Sequence, residues 1–274
     1  MSNAAPLAFG GSIPADYDEY LGPLLFHFSA SDLADRIAKR TPANGQVLEI
    51  ACGTGISTEY LRKTLPDDVA IIATDLNPDM LAFAQKKLAG KQGISFQEAD
   101  GLSLPFEDES MDAVACQFGI MFMPDKAQAL SEMKRVLKPG GTLVFNTWDS
   151  LEKNPGVAIA QKTIEAFFDT DPPQFLSIPF GFYDVELIKN LMSDAGFENV
   201  DAQVISETVK SYDAKRLATG AVKGNPTITE INARDDVDVD AVIAAVAAAL
   251  TEKLGSNTPD VELQEIVFTD VKGS

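Results

Sequence analysis

The residues best suited to chemistry form one short run, Glu49-Ile50-Ala51-Cys52-Gly53-Thr54-Gly55. Apolar Val47-Leu48 leads into it, and Ile56, Tyr60 and Leu61 follow at helical spacing. A strand, a tight glycine turn and a helix let backbone approach a nucleotide-like ligand. A second apolar run, Val69 to Thr74, ends in Asp75. It lies about twenty residues on, where an acidic side chain takes ribose hydroxyls. Glu49 can hold an ammonium group, directly or through water, and would repel a pyrophosphate. A dinucleotide loop would also carry a third glycine, which Gly53-Thr54-Gly55-Ile56-Ser57-Thr58 lacks. The expected ligand is a nucleoside with a cationic amino-acid end rather than NAD. The glycine loop alone would also suit a plain strand-to-helix turn.

Two further positions sharpen this. Asp100, in Glu98-Ala99-Asp100-Gly101, can accept a hydrogen bond from an adenine amino group, with the Gly101 and Leu102 amides meeting ring nitrogens. A turn aspartate is the alternative reading. Gln117-Phe118 closes the fourth apolar strand, where ligands bind in open α/β sheets.

The elements that must position these residues alternate. Strands are predicted at 47–51, 70–74, 94–98, 111–117 and 142–147, with helices at 57–63, 78–88 and 126–137, the last stopped by Pro139-Gly140-Gly141. That order argues for a parallel sheet covered by helices on both faces. Upstream, residues 1–13 are expected to be disordered, 15–28 is aromatic-rich, and Ser31 caps a helix through Lys39. Downstream, helices are expected at 157–168, 185–195, 214–221 and 238–254, with strands at 200–211 and 261–271.

Composition narrows the function classes. The chain has 274 residues, 45% of them hydrophobic, and a net charge of −19. That charge repels phosphate backbones and anionic lipid, so neither nucleic acid nor membrane is an expected partner. No apolar run approaches the ~18 residues that span a bilayer, and Met1 to Ala5 does not read as a signal peptide. Cys52 and Cys116, the only cysteines, have no metal-ligand or disulfide spacing. The composition points to a cytoplasmic setting. His27 is the only histidine, which excludes multi-histidine metal centres; no metal is expected.

Four stretches together resemble the class I S-adenosylmethionine-dependent methyltransferases: Val47 to Gly55, Thr74 to Leu81, Glu98 to Phe106 and Arg135 to Gly141. They stand in family order and at family spacing across about residues 45–148. The Leu104-Pro105-Phe106-Glu107-Asp108 segment is similar to the ubiquinone/menaquinone-biosynthesis-like small-molecule branch. The resemblance implies a doubly wound, mostly parallel seven-stranded Rossmann-like α/β sheet with helical cap insertions. It implies a single domain over 1–274, with its core at about 30–211 and 257–274, an N-terminal lid at about 14–30 and a cap at about 212–256. It also implies S-adenosyl-L-methionine as cofactor. Glu49, Ala51, Cys52, Gly53 and Gly55 would cradle its methionine part, and Asp75 would take the ribose. Leu76 and Met80 would flank adenine, and Asp100, Gly101 and Leu102 would read its edge. Gln117 and Phe118 would border the sulfonium, with Tyr20 reaching in from the lid.

Methyl transfer from a sulfonium is an in-line displacement that asks mainly for positioning and exclusion of water. A base is needed only where the acceptor must lose a proton. His27 is the candidate, although its apolar neighbours Phe26 and Phe28 also suit a packed imidazole. Tyr17, Phe122, Trp148, Phe182 and Tyr183 are the candidate acceptor contacts, for an apolar or aromatic small molecule. The long insertion before the last strand is read as a cap over that acceptor. A monomer or homodimer is expected. A catalytically silent S-adenosylmethionine-binding regulator and an NAD-dependent reductase are the competing readings; the missing third glycine, Glu49 and Asp100 weigh against the second.

Overall fold

The computed structural model describes residues 9–273. The strands are β1 (Gln46–Ile50), β2 (Ala70–Asp75), β3 (Ile94–Glu98), β4 (Met111–Gln117), β5 (Leu137–Trp148), β6 (Asp201–Val209) and β7 (Val261–Val271). They form one sheet in the order β3-β2-β1-β4-β5-β7-β6. All pairings among β1 to β5 are parallel, whereas β7 runs antiparallel to both β5 and β6. The doubly wound, mostly parallel α/β sheet implied by the motifs is therefore the observed architecture.

The helices are α1 (Ile13–Asp16), α2 (His27–Ala38), α3 (Ile56–Thr64), α4 (Pro78–Lys87), α5 (Lys126–Val136), α6 (Pro155–Glu165), α7 (Val185–Asp194), α8 (Ala214–Lys223), α9 (Thr227–Asn232) and α10 (Val239–Leu254). Successive strand residues turn to opposite faces, and both faces are dry. Ala113 and Ala115 of β4 pack with Leu33 and Ile37 of α2 and Leu61 of α3. Val114 and Cys116, between and beyond them, join Leu130 of α5, Ile188 of α7, Leu217 of α8 and Val246 of α10. This two-sided burial explains why these strands read as continuous apolar runs.

The N-terminal segment differs from its predicted form. Helix does not begin at Ser31; helical turns run from Ile13 to Ala38, and Ser31 sits inside α2. Between α1 and α2, Tyr17–Phe26 is a π-helix containing Pro23, and the His27 N–H bonds to the Gly22 carbonyl five residues back. A proline has no N–H, and its ring crowds the carbonyl four residues earlier; wider turns accommodate it without ending the helix. Of the stretch expected to be disordered, residues 1–8 lie outside the described residues. Phe9 instead packs edge-on against Tyr17, Phe122 and Phe175, with ring centroids 6.2, 6.4 and 5.6 Å away.

Two other elements depart from expectation. Pro139-Gly140-Gly141 lies within β5, which starts directly after α5; the Gly140 N–H bonds to the Lys272 carbonyl and the Lys272 N–H to that of Gly141. The unforeseen helix α9 joins α8 and α10 in the segment between β6 and β7. That segment reaches the N-terminal helix: the Tyr212 hydroxyl donates to the Tyr20 carbonyl at 2.6 Å, and Arg216 donates to the Glu19 carbonyl at 3.0 Å. Among the described residues no helix is long and apolar enough to cross a membrane.

Candidate active site

The glycine loop emerges from the carboxyl end of β1. Ala51, Gly53 and Gly55 all have positive φ, at 56°, 55° and 78°. At Gly55 a side chain would also meet Leu88 Cδ1 at 3.0 Å and Ala84 Cβ at 3.1 Å, so glycine is required where the loop crosses α4. At Gly53 the space beside Cα is open, and this open side faces a cleft. The cleft, with about 30 Å³ of free space, lies between Tyr17 and Phe26 of the π-helix, the Ala51–Thr54 loop, Ile56, Ser57 and Gln117.

Two carboxylates flank the loop. Asp75, at the end of β2, accepts the Gly53 and Asn77 N–H groups on its two oxygens, each at 2.8 Å. Burial raises its pKa, with these amides opposing. Glu49 lies beneath the loop and is almost wholly buried, at 1% exposure. The Ser57 hydroxyl donates to Oε1, while Oε2 has no partner. Burial pushes its pKa up to about 7, against the Ser57 hydrogen bond. Gln117 is similarly half-satisfied: Nε2 donates to the Phe26 carbonyl at 3.0 Å, and its buried Oε1 is unpaired. Two buried acceptors without donors beside an open glycine suit a ligand that brings an ammonium group. The chemistry of this lining thus suits the amino-acid end of S-adenosylmethionine.

Over the cleft, Tyr17 stacks on Phe26 at 4.7 Å. Burial, followed by the charges of Asp75 and Asp18, holds the Tyr17 phenol far above its ordinary pKa, so it is a neutral donor. Phe118 has a left-handed backbone, with φ 50°, held by the Asn146 side chain, which accepts its N–H at 3.0 Å. Its ring stacks on Trp148 at 4.0 Å, and Trp148 stacks in turn on Phe180 at 5.6 Å.

Of the predicted cofactor contacts, Ala51, Cys52, Gly53 and Gln117 line the cleft, and Gly55, Glu49, Asp75 and Phe118 adjoin it as described. Leu76 is 48% exposed beside Asp75, and Met80 is buried. Asp100 is exposed; its carboxylate accepts the Leu102 N–H at 2.9 Å, and Gly101 packs under Met123. These three form a turn apart from the cleft lining.

Other expectations are corrected. Tyr17, read as an acceptor contact, lines the glycine-loop cleft instead. Tyr20, read as a cofactor contact, faces α8, with Arg216 5.1 Å above its ring. The wider turn of the π-helix is the cause, because residues three apart no longer share a face. His27 faces α3, its ring 5.9 Å from that of Tyr60, and does not line the cleft. Burial, then Lys87, lowers its pKa. Phe182 is buried with Lys126 5.0 Å over its ring, and Tyr183 is exposed at 44%; Phe180, not these two, joins Trp148. Phe122 instead stacks on Phe175 at 5.9 Å. Sequence reasoning missed Phe26, Ser57 and Phe9. The hydroxyl eight residues beyond a buried glutamate was the only available signal for Ser57.

A family described as "Methyltransferase domain" matches residues 48–145. The chain is 31% identical over 173 residues to a demethylmenaquinone methyltransferase of Staphylococcus saprophyticus, covering 58% of this chain and 72% of that protein. It is 46% identical over 101 residues to the Deinococcus radiodurans protein of that name, covering 36% of this chain and only 42% of the relative. Among solved structures, one described as a methyltransferase from Bacillus halodurans superposes with a TM-score of 0.60 at 18% identity, covering 90% of this chain and all of that one. A phosphoethanolamine N-methyltransferase from Haemonchus contortus, solved with S-adenosyl-L-methionine, gives 0.61 at 15% identity, covering 95% of this chain and 57% of that one.

Proposed function

Because the chain belongs to the class I S-adenosylmethionine-dependent methyltransferases of the ubiquinone/menaquinone type, an enzyme family that methylates small molecules, we propose that its acceptor is an apolar aromatic compound, of quinone type, as in the relatives' names. The unpartnered Glu49 Oε2 beneath the glycine loop is the observation that carries the assignment of the cofactor residues. Glu49 and Gln117 take the amino end, Asp75 the ribose, Leu76 and Met80 the faces of adenine, and the Asp100–Leu102 turn its edge. S-adenosylmethionine supplies a methyl group already activated on a sulfonium. The chain's task is to orient and to exclude water, which Tyr17 and Phe26 do by covering the loop. Phe118, Trp148 and Phe180 offer a stacked wall for an aromatic acceptor. With His27 turned to Tyr60, no base is drawn from it. We treat residues 14–30 as the lid and 212–256 as a cap that braces it, in a protein of cytoplasmic setting whose two cysteines are free and buried. Transfer of labelled methyl to aromatic hydroxyl compounds and quinols tests the acceptor class; transfer only to aliphatic amines would overturn it. Calorimetry with S-adenosylhomocysteine and NAD tests the cleft, and tight binding of NAD alone would overturn that.

A proton linkage follows. With its pKa near 7 in the free protein, Glu49 contributes stability that is full below the ordinary carboxyl value and is lost as pH rises through about 7. An ammonium beside it favours the ionised form. S-adenosylhomocysteine binding near pH 6 is therefore expected to release about one proton, seen as a dependence of the calorimetric heat on the buffer's ionisation enthalpy. Glu49→Gln should remove that dependence; its persistence would assign the proton elsewhere.

A further inference from the structure

We propose, on the reading of Gln117 as a contact of the cofactor's amino end, that Asn146 and Glu265 are positioning residues for that end. Neither lines the cleft. They act through side-chain hydrogen bonds that run across β4, β5 and β7. Gln117 is the last residue of β4 and pairs with Asn146 of β5. The ladder stops there because Phe118 turns left-handed, at φ 50°, a conformation that phenylalanine keeps only where its surroundings impose it. The Asn146 side chain stands in for the next backbone partner: Oδ1 accepts the Phe118 N–H at 3.0 Å. Its Nδ2 donates to Oε2 of Glu265, on β7, at 2.6 Å. Asn146 and Glu265 are 1% and 3% exposed.

The turn held in this way forms one side of the site. Gln117 lines the cleft, and its Oε1 is the unpaired acceptor there. Gly119 lies so close to the glycine loop that a Cβ on it would stand 2.5 Å from the Ala51 Cβ. A shift at Phe118 therefore reaches both of its neighbours, and both face the amino-acid end. Glu265 sets the sense of the relay. A carboxamide donates at one end and accepts at the other, and only one of its two orientations meets the Phe118 N–H. The carboxylate selects that orientation, because it accepts where Nδ2 donates. A buried carboxyl is costly, and an apolar side chain of similar size would pack there at less cost. Orienting Asn146 is the gain that offsets it.

Calorimetry with two ligands tests the relay: S-adenosylhomocysteine, and methylthioadenosine, which keeps the nucleoside and the sulfur but has no amino-acid end. Asn146→Leu should weaken S-adenosylhomocysteine about tenfold and leave methylthioadenosine within about threefold of the parent. Glu265→Leu should shift the ratio in the same direction. Glu265→Gln should bind like the parent, because its side-chain carbonyl still accepts from Nδ2. Asn146→Asp combined with Glu265→Gln reverses the donor and acceptor between the two strands while still accepting the Phe118 N–H, and it too should bind like the parent. Equal losses for both ligands in a folded variant would make the two residues merely structural and overturn the proposal. So would an unchanged ratio in Glu265→Leu, or a combined variant as weak as Asn146→Leu. Should Asn146→Leu not fold, Glu265→Leu and the combined variant read the same ratio. Failure of the parent to bind S-adenosylhomocysteine would overturn the cofactor reading itself, whereas tight binding by the parent with no change of ratio in the variants would overturn the relay alone.

Discussion

Asp75→Ala is expected to abolish methyl transfer and to weaken S-adenosylhomocysteine binding at least about 100-fold, since hydrogen bonds to a charged group contribute about 1.5–3 kcal/mol each. The effect has two parts. The carboxylate is placed to receive ribose hydroxyls, and it already fixes the loop by accepting the Gly53 and Asn77 N–H groups at 2.8 Å. Asp75→Asn should be nearly as damaging, because a carboxamide turns an N–H toward one of those two donors. Calorimetry decides the matter: a Kd within about threefold of the parent would remove Asp75 from the cofactor site.

Gly220→Ala should lower methyl transfer about tenfold or more without touching either ligand. A Cβ at Gly220 would stand 2.5 Å from Leu21 Cδ2 and 3.1 Å from Tyr20 Cβ, inside the π-helix that covers the cleft. Overpacking of this kind costs about 1–3 kcal/mol, relieved here by displacing the lid. Leu21→Ala in the same chain should restore much of the loss, a coupling that a double-mutant cycle measures. Additive losses in turnover would show that α8 does not brace the lid. Deletion of the insertion is the blunter experiment, because Leu217, Val222, Val242, Val246 and Leu250 are buried in the central core and removing them would expose it.

The sheet was legible because its central strands are buried on both faces and the connections are punctuated by glycine and proline; β4, and even the exposed edge strand β3, match their predicted bounds residue for residue. The glycine loop was legible because Ala51, Gly53 and Gly55 do local work in a fixed order, and their backbone angles are set within the turn. The lid was not. Its facing depends on turns wider than the α-helical period, so Tyr17 lines the cleft while Tyr20 turns to α8. Phe182 and Tyr183 were misplaced for a different reason: an aromatic run in a loop carries no period, and only packing against Trp148 selects Phe180. The Glu265–Asn146–Phe118 chain joins residues 119 and 28 positions apart, and no local pattern signals it.

On the proposed reading of residues 14–30 as a lid, cofactor admission becomes a backbone event. The ring pair Tyr17–Phe26 spans a ten-residue π-helix, with one aromatic at each end. The i→i+5 turn is a rare helical form, and the cleft beneath it, with about 30 Å³ of free space, falls far short of the ~300–1,000 Å³ usual for ligand pockets. Enlarging it means rewinding that stretch, which slides one ring around the helix axis relative to the other. Were the proposed lid to open this way, it would turn like a screw thread rather than swing on a hinge.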